Sequence, residues 1–416
     1  MLVAAGPADA VSAVRKEFAA GWPVVAGSML GIAVGIAALP TPALGIVLRD
    51  LVKEFGWSRA EIAIGPTILL GVLALVSPVL GWIADRVSAA VITTVSLLAL
   101  ALCLFLFSRL GPDIRLYYAL MALMAVTASG AATIVYARAI SANFTAGRGR
   151  ALGIAMIGNG VTGIVLPVIM APYAAHAGWR AVFVALAAVV LLATPLVAVL
   201  IGRGRPPAPP QSIGAPVTRP ALRGAVADPV FWAMCAAFLL VAVGAAGMQL
   251  HFLAYLADEG VAPATAGAIA GAIGAALIVG RLATGFLVDR LFAPHVAAAM
   301  MMLSAACMAA MAHFGGQAGF LGAIAMGLSV GAELDLVGYL TARYFGMGGY
   351  GRIYAVFYAV VLVGSSLSKV LYGLTVDLTG SYRLGLYAAA AMLAASAMIF
   401  LRMRRFTPEA TGPSPQ

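Results

Sequence analysis

Six ionisable side chains lie inside long apolar stretches of this 416-residue sequence. They are Arg138, His251, Arg281, Glu333, Asp335 and Lys369. A charged side chain in the hydrocarbon core of a membrane costs about 2.5–3.5 kcal/mol or more, so it needs a partner, a water-filled cavity or a substrate. These positions are therefore the first candidates for a binding site.

Arg281 and Lys369 are predicted to lie at one depth in a membrane. Arg281 precedes Asp289 by eight residues and Lys369 precedes Asp377 by eight, and the two aspartates mark opposite ends of their predicted helices. Eight helical residues rise about 12 Å, which places both cations near the middle of a core about 30 Å thick. Two cations at one level favour an anion between them, so the pair predicts an anion-binding site.

Glu333 and Asp335 are candidate partners for these cations. Because they are two residues apart, they point about 200° from each other on a helix, and only one can face a central cavity. We assign Asp335 to the cavity face. Either acid could balance the positive charges or carry a coupled proton, and the sequence leaves both roles open.

His251 and Thr41 complete the set of candidate substrate-binding residues. A neutral histidine at position 251 could donate to a carboxylate or take part in proton coupling, and it could equally donate to a backbone carbonyl. Thr41 lies in the segment Leu39-Pro40-Thr41-Pro42, whose prolines predict a break in the first helix. Broken membrane helices often border a cavity, so Thr41 is predicted to line the site.

The composition indicates a membrane protein. Apolar residues make up 63% of the chain and charged residues 10%, with a mean hydropathy of +1.03, whereas soluble domains carry about 25% charged residues. The net charge of +10 lies in short stretches between apolar runs and has no interleaved aromatic residues. It therefore indicates membrane topology and not a nucleic-acid partner.

No feature of the sequence predicts an enzyme, a cofactor or a metal site. The three cysteines lie inside apolar runs, which argues against a disulfide framework. Neither a His-Glu metal motif nor a nucleophile-base pair appears in the sequence. The first twenty residues include four charged residues and no long apolar core, so no cleavable signal peptide is expected.

Twelve apolar runs are long enough to cross a membrane as helices. They fall near 22–47, 62–83, 90–109, 116–140, 151–174, 181–201, 230–256, 264–288, 295–314, 318–342, 353–376 and 382–401. We number the corresponding predicted helices 1 to 12. The sequence thus predicts an all-α membrane protein with twelve transmembrane helices in two pseudo-symmetric six-helix bundles.

The domain boundaries follow from the spacing of these runs. The prediction is a cytoplasmic N-terminal segment at 1–21, a first bundle at 22–201, a cytoplasmic linker at 202–228, a second bundle at 229–405 and a disordered tail at 406–416. The linker is basic and rich in proline. Alternate loops carry 15 Lys and Arg on the side of the linker and termini and 7 on the other, which predicts cytoplasmic termini in a bacterial inner membrane.

The two halves of the chain repeat each other. The segment Gly81-Trp-Ile-Ala-Asp85-Arg86, at the end of predicted helix 2, recurs 204 residues later as Gly285-Phe-Leu-Val-Asp289-Arg290, at the end of predicted helix 8. Gly149-Arg150, opening predicted helix 5, recurs 202 residues later at the start of predicted helix 11. A repeat with one spacing predicts two equivalent bundles.

On these residues the chain resembles the major facilitator superfamily over essentially its whole length. The segment from Gly81 to Arg86 resembles that family's loop 2–3 signature, in which Gly81 would let helices 2 and 11 approach and Asp85 would face helix 11. The glycine and basic residues that usually follow the Asp-Arg pair are absent here. The resemblance implies a conformational latch made of Gly81, Asp85 and Arg86 and of their repeats Gly285, Asp289 and Arg290.

Finer features resemble the branch of oxalate:formate antiporters and monocarboxylate transporters. These are Phe55-Gly-Trp-Ser-Arg59, Gly280-Arg281 and Gly331-Ala-Glu333-Leu-Asp335. The resemblance implies that Arg281 meets a substrate carboxylate. The oxalate carrier also uses a lysine of helix 11, and Lys369 lies in the same helix. Two features depart from the branch: Leu277 stands where animal monocarboxylate carriers have a helix 8 aspartate, and predicted helix 1 has no lysine.

The expected function is secondary transport of a small organic anion, a mono- or dicarboxylate, by alternating access in a lipid bilayer. Transport would be coupled to a proton or a counter-anion, and a monomer is expected. The alternatives are an exporter of amphipathic drugs with the same fold and a transporter-like anion sensor. Against the exporter, residues 116–132 of predicted helix 4 contain no arginine and predicted helix 1 contains no acid.

Overall fold

A computed structural model describes residues 7–84, 86–144, 147–204, 220–288, 290–346 and 350–404. Within these residues the chain forms sixteen α-helices and no strand. The helices are α1 (Pro7–Ala33), α2 (Pro40–Phe55), α3 (Arg59–Ala84), α4 (Ala89–Phe107), α5 (Ile114–Thr127), α6 (Thr133–Asn143), α7 (Arg148–Ala177), α8 (Trp179–Gly202), α9 (Pro220–Ala227), α10 (Pro229–Val241), α11 (Met248–Asp258), α12 (Pro263–Val288), α13 (Ala293–Phe314), α14 (Gly319–Phe345), α15 (Tyr350–Thr379) and α16 (Arg383–Leu401). Asp85 and Asp289 of the predicted latch, most of the predicted linker and the predicted tail lie outside the described residues.

Nine stretches of the described chain are long and apolar enough to cross a membrane. One of them, Ala293–Phe345, contains 53 residues and consists of α13 and α14 joined by a short 3-10 turn. Predicted helices 1 and 4 are not among the nine, and both are interrupted in the structure. The all-α multi-pass membrane fold is confirmed, while the number of twelve crossings stays a prediction.

The predicted break in helix 1 is confirmed. α1 ends at Ala33 and α2 begins at Pro40, which occupies the first helical position, where a missing N–H leaves no hydrogen bond unmade. α1 begins at Pro7, so helix extends into the segment predicted at 1–21. Predicted helix 4 is interrupted by a 3-10 turn at Ser129–Ala131, between α5 and α6.

Predicted helix 7 consists of α10 and α11, joined by a π-helical turn at Ala242–Ala246. Two side chains of α15 satisfy carbonyl groups of this turn. Ser368 Oγ donates to Val243 O at 2.5 Å, and Tyr372 OH donates to Gly244 O at 3.0 Å. The irregular turn is stable in apolar surroundings because α15 supplies the hydrogen bonds that the helix lacks.

Each half of the chain has its own large hydrophobic core. One core consists mainly of residues between 24 and 201, and the other of residues between 225 and 403. The halves meet where α7 packs on α12, α3 on α15 and α2 on α11. A Cβ added to Gly163 of α7 would lie 3.3 Å from the Cα of Gly274 of α12, so small residues permit this close packing. The division into two six-helix bundles stays a prediction.

Helix ends from both halves of the chain define two ends of the molecule. We name the end that lies near both chain termini the terminal end and the opposite one the far end. At the terminal end the Gly147 N–H donates to Glu17 at 2.8 Å, and Arg404 pairs with Asp228. The far end holds the last turns of α2, α11 and α15. The Lys and Arg count predicts that the terminal end is cytoplasmic.

Candidate functional site

The structure pairs Arg281 of α12 with Asp335 of α14. Arg281 Nε lies 3.4 Å from Asp335 Oδ2, and the two side chains are 32% and 42% exposed. The helices approach closely because Gly331 faces Leu277, and a Cβ on Gly331 would lie 2.5 Å from the Leu277 carbonyl oxygen. Arg281 and Asp335 each follow that contact by one turn, so the helix register brings them together.

The Arg281–Asp335 contact is an ion pair without a well-formed hydrogen bond. Arg281 Nε is buried and has no hydrogen-bond partner among the described residues. At 3.4 Å the distance exceeds the usual N–H···O range. A buried donor without an acceptor is unfavourable, so the site has a donor that a ligand oxygen could satisfy.

Glu333 points away from this pair, as the two-residue separation predicts. Its side chain is 3% exposed, and its Oε1 atom has no hydrogen-bond partner in the part of the chain that the structure describes. A carboxylate buried without partners is costly, so the neutral acid is favoured there. The two acids are thus in different settings, one at the edge of accessible space and one in the helix-packed interior.

Lys369 of α15 is 6% exposed. Its Nζ donates to the carbonyl oxygen of Ser365, one turn earlier, at 3.0 Å. Among the described residues, no carboxylate lies within ion-pair distance of Nζ. The ammonium group therefore has a single neutral acceptor, and an anion near it would supply the missing charge.

His251 of α11 is fully buried and both ring nitrogens have partners in the protein. Nε2 lies 2.8 Å from the Lys369 carbonyl oxygen and Nδ1 lies 3.3 Å from the Tyr382 hydroxyl. Tyr382 in turn accepts a hydrogen bond from Arg59. Burial raises the pKa of the Tyr382 phenol, so its hydroxyl keeps the proton that it donates to Nδ1. This arrangement makes His251 a connector between α11, α15 and the loop before α16.

A charged network closes the far end between the two halves. Arg59 lies 2.6 Å and Arg49 3.1 Å from the carboxylate of Asp258. The carboxylate of Asp377, at the end of α15, accepts hydrogen bonds from the backbone N–H groups of Arg59 and Ala60 at 3.1 and 2.9 Å. Asp377 thereby caps the N-terminus of α3 from the opposite half of the chain, which satisfies N–H groups that helices leave open.

The sequence analysis missed this network. It used Asp377 only to mark a helix end, and Arg59 only as part of a motif. The available signal was the presence of four charges near the ends of α2, α3, α11 and α15, but their pairing depends on contacts between residues 199 to 318 positions apart.

A partly open cavity of about 150 Å³ lies between the halves. Helices α2, α7, α11 and α12 line it, with residues that include Pro42, Asn159, Gln249, Phe252 and Leu277. Apart from Asn159 and Gln249 its side chains are apolar. Thr41 is half-buried beside Pro42, and Leu277 lies one turn from Arg281, so the cavity borders the ion pair.

Two glycines of the predicted latch have open space around them at the terminal end. Among the described residues, a Cβ on Gly81 or Gly285 would meet no atom within 4 Å. Asp85 and Asp289 lie outside the described residues, so the latch stays a prediction. Arg86 stacks on Trp82 with 4.0 Å between guanidinium and ring centroid, and Arg290 stacks on Phe286 at 3.5 Å. Predicted helices 2 and 11 correspond to α3 and α15. These two helices meet at the far end, because the charged network holds them together there.

No group of three or more His, Cys, Asp or Glu side chains that could hold a metal ion occurs among the described residues.

Comparisons with known proteins agree with this architecture. A family model described as Major Facilitator Superfamily matches residues 21–368. The chain is 26% identical to human Monocarboxylate transporter 11 over 415 residues, covering 93% of this chain and 84% of that protein. The mouse protein of the same name is 26% identical over 417 residues, covering 93% and 88%.

Two solved structures have a similar fold. A bacterial homolog to the human lysosomal transporter Spinster, inward-facing and unoccupied, has a TM-score of 0.69 and 17% identity, covering 94% of this chain and 99% of its own. A D-xylose-proton symporter has a TM-score of 0.71 and 12% identity, covering 94% and 99%. At these identities the likeness concerns the fold alone.

Proposed function

The chain belongs to the Major Facilitator Superfamily, and from this premise we propose that it is a secondary transporter of a small organic anion, a mono- or dicarboxylate. One observation carries the proposal: α12 and α15 hold two cations in the apolar interior, Arg281 with an unsatisfied Nε and Lys369 with no acid partner among the described residues. An anion between them would satisfy both. The similarity to proteins named monocarboxylate transporter supports the same class of substrate.

Each polar residue of the site has a proposed part in binding. Arg281 would bind the carboxylate through charge-assisted hydrogen bonds, for which guanidinium geometry is suited. Asp335 would hold Arg281 in the empty carrier and release it to the substrate, which avoids an unpaired charge in either state. Lys369 would supply the second positive group, and Thr41 would line the entrance to the cavity. His251 is proposed to fix the packing of α11 on α15.

Alternating access would proceed by exchange between closure at the two ends. The far end is held by Asp258 and Asp377, whereas among the described residues nothing packs against Gly81 or Gly285 at the terminal end. If the termini face the cytoplasm of a bacterium, as the charge count predicts, this is an inward-facing carrier in the inner membrane. The latch around Gly81 and Gly285 would then engage in the outward-facing state.

Uptake into proteoliposomes tests the proposal. Purified full-length protein should accumulate labelled small carboxylates, with a proton gradient or with a counter-anion inside the vesicles. Uptake of amphipathic cations without uptake of any carboxylate would favour the drug exporter instead. Binding of carboxylates without any movement across the bilayer would favour the anion sensor.

Lys369→Met is expected to weaken substrate binding by roughly tenfold to a hundredfold, because a hydrogen bond to a charged group contributes about 1.5–3 kcal/mol. The same variant should unfold at a higher temperature, since it removes a buried charge that has one neutral acceptor. Binding isotherms and thermal unfolding of the purified variant measure the two effects. A variant with lower thermal stability and unchanged binding would mean that Lys369 serves the fold alone.

Glu333→Gln is expected to abolish accumulation driven by a proton gradient while carboxylate exchange across the membrane continues. The reason is that Glu333 is buried and one of its oxygens has no partner among the described residues, a setting suited to gaining and losing a proton. Parallel assays of gradient-driven uptake and exchange give the measurement. Asp113→Asn, an exposed helix cap at the far end, is the control, and gradient-driven uptake by Glu333→Gln would exclude this role.

A further inference from the structure

Three tyrosines follow each other at four-residue spacing on the terminal half of α15. Ring centroids of Tyr350 and Tyr354 are 5.7 Å apart with 21° between ring planes, and those of Tyr354 and Tyr358 are 6.1 Å apart with 9° between planes. Tyr358 is 39% exposed and the other two are half-buried. We name Tyr350, Tyr354 and Tyr358 the tyrosine ladder. The sequence analysis did not single out these three.

The tyrosine ladder is next to the acid that pairs with Arg281. A Cβ on Gly338 of α14 would lie 3.2 Å from the Tyr350 hydroxyl and 3.8 Å from the Tyr354 ring, so the ladder packs along α14. Tyr354 is close enough to Asp335, one turn before Gly338, for the two to interact electrostatically. The ladder therefore borders the ion pair of α12 and α14.

Tyr354 and Tyr358 of the tyrosine ladder also project from the same side of α15 as Lys369. Eleven residues separate Tyr358 from Lys369 and Tyr354 from Ser365, and eleven residues fall about 20° from three complete helical turns. Side chains at this spacing project from one side of a helix. On this face Tyr358 is exposed and Lys369 is buried among helices, so the face leads from an accessible ring to the protein interior.

Arg281 thus lies between aromatic and apolar surfaces. The tyrosine ladder lies on its terminal side, and on its far side begins the cavity lined by Leu277, Ile273 and Phe252. The three charged residues proposed for the binding site, Arg281, Lys369 and Asp335, have charges that sum to +1. One carboxylate neutralises that charge, whereas a second would leave a net negative charge in the membrane interior.

We propose that the substrate is a monocarboxylate with a planar aromatic body, bound with its carboxylate on Arg281 and its ring against the tyrosine ladder. This inference rests on the anion transport proposed above and specifies its substrate class. The attraction between two aromatic rings exceeds the free energy gained by burying their apolar area alone. Tyr358 is the most exposed of the three tyrosines, so its ring is accessible to the ligand. The apolar cavity beyond Arg281 accommodates ring substituents.

Equilibrium binding to the purified full-length protein tests this assignment. The probes are benzoate, cyclohexanecarboxylate of similar size without a planar ring, acetate and oxalate. Benzoate is expected to bind roughly three- to tenfold more tightly than cyclohexanecarboxylate, and oxalate less tightly than either. Tyr358→Leu should remove the preference for benzoate, Tyr358→Phe should keep it, and Tyr387→Leu, an exposed tyrosine on α16, should leave it unchanged.

The outcomes separate this inference from the function on which it depends. Equal affinity for benzoate and cyclohexanecarboxylate, or a benzoate preference that survives in a Tyr354→Leu, Tyr358→Leu double variant, would overturn the aromatic assignment and leave anion transport intact. Failure of all four probes to bind would overturn anion transport itself. Retention of the preference in Tyr358→Phe shows that the ring and not the hydroxyl is responsible, and it guards against a folding defect in the leucine variants.

Discussion

Arg281→Gln is expected to lower carboxylate uptake by about thirtyfold or more while the protein still reaches the membrane. Each hydrogen bond to a charged group contributes about 1.5–3 kcal/mol, and the variant removes the guanidinium that is proposed to make such bonds to the substrate carboxylate. Asp335 would then remain as an uncompensated negative charge beside the site, which repels the substrate further. Uptake per milligram of reconstituted protein, with expression measured separately, gives the result.

A second variant separates the binding role of Arg281 from its part in the fold. In Arg281→Gln, Asp335→Asn both charges are removed, so any loss of stability caused by the unpaired aspartate should be recovered, whereas uptake should stay low. Arg402→Gln, an exposed position after α16, serves as the control for removing an arginine. Recovery of uptake in the double variant would mean that Arg281 only balances Asp335, and the proposed binding site would have to be given up.

Much of the fold follows from local sequence. Apolar runs, the charge count and the internal repeat each depend on residues close together or on a fixed spacing, and they predict an all-α membrane protein. The break at Pro40 was predictable for the same reason, since proline limits the backbone wherever it stands. The π-helical turn at 242–246 was not, because its carbonyl groups depend on Ser368 and Tyr372 of α15, more than 120 positions away.

The candidate site was predictable as a set of residues but not as a geometry. The free-energy cost of placing a charged side chain in the membrane core identifies Arg281, Lys369 and the two acids, because that cost applies wherever a charge lies in an apolar helix. The acid that pairs with Arg281 depends on the register of α14 against α12, which the close contact of Gly331 with Leu277 sets. That contact is not visible in the sequence of either helix alone.

His251 illustrates how partners change an interpretation. In the sequence it is an isolated polar residue in an apolar helix, equally suited to a ligand and to packing. In the structure its two nitrogens face the Lys369 carbonyl and the Tyr382 hydroxyl, groups of two other segments. A ring with both nitrogens engaged has no free atom for a substrate unless α11 and α15 move apart, so its proposed role is to fix the packing of α11 on α15.

Gly373→Val is expected to lower transport by more than about tenfold, because it prevents closure of the far end. A Cβ on Gly373 of α15 would lie 2.6 Å from the backbone nitrogen of Ala60 and 2.8 Å from the carbonyl carbon of Arg59. These are backbone atoms at the start of α3, and they cannot turn aside as a side chain would. The added methyl groups must separate α3 from α15 and break the hydrogen bonds from Arg59 and Ala60 to Asp377.

The separation should shift the carrier toward a state open at the far end. A cysteine placed at Leu253, which lines the central cavity, in a variant without the native cysteines, reports this state through labelling by a membrane-impermeant maleimide. Labelling from the far side should be faster with Gly373→Val than with glycine. Gly71→Val is the matched control on α3, since a Cβ there meets no atom within 4 Å.

Because closure at each end must alternate, a carrier fixed open at the far end still binds its substrate but cannot release it on the other side. Unchanged transport in Gly373→Val would mean that α3 and α15 do not need to meet, and that the charged network at the far end is not a gate.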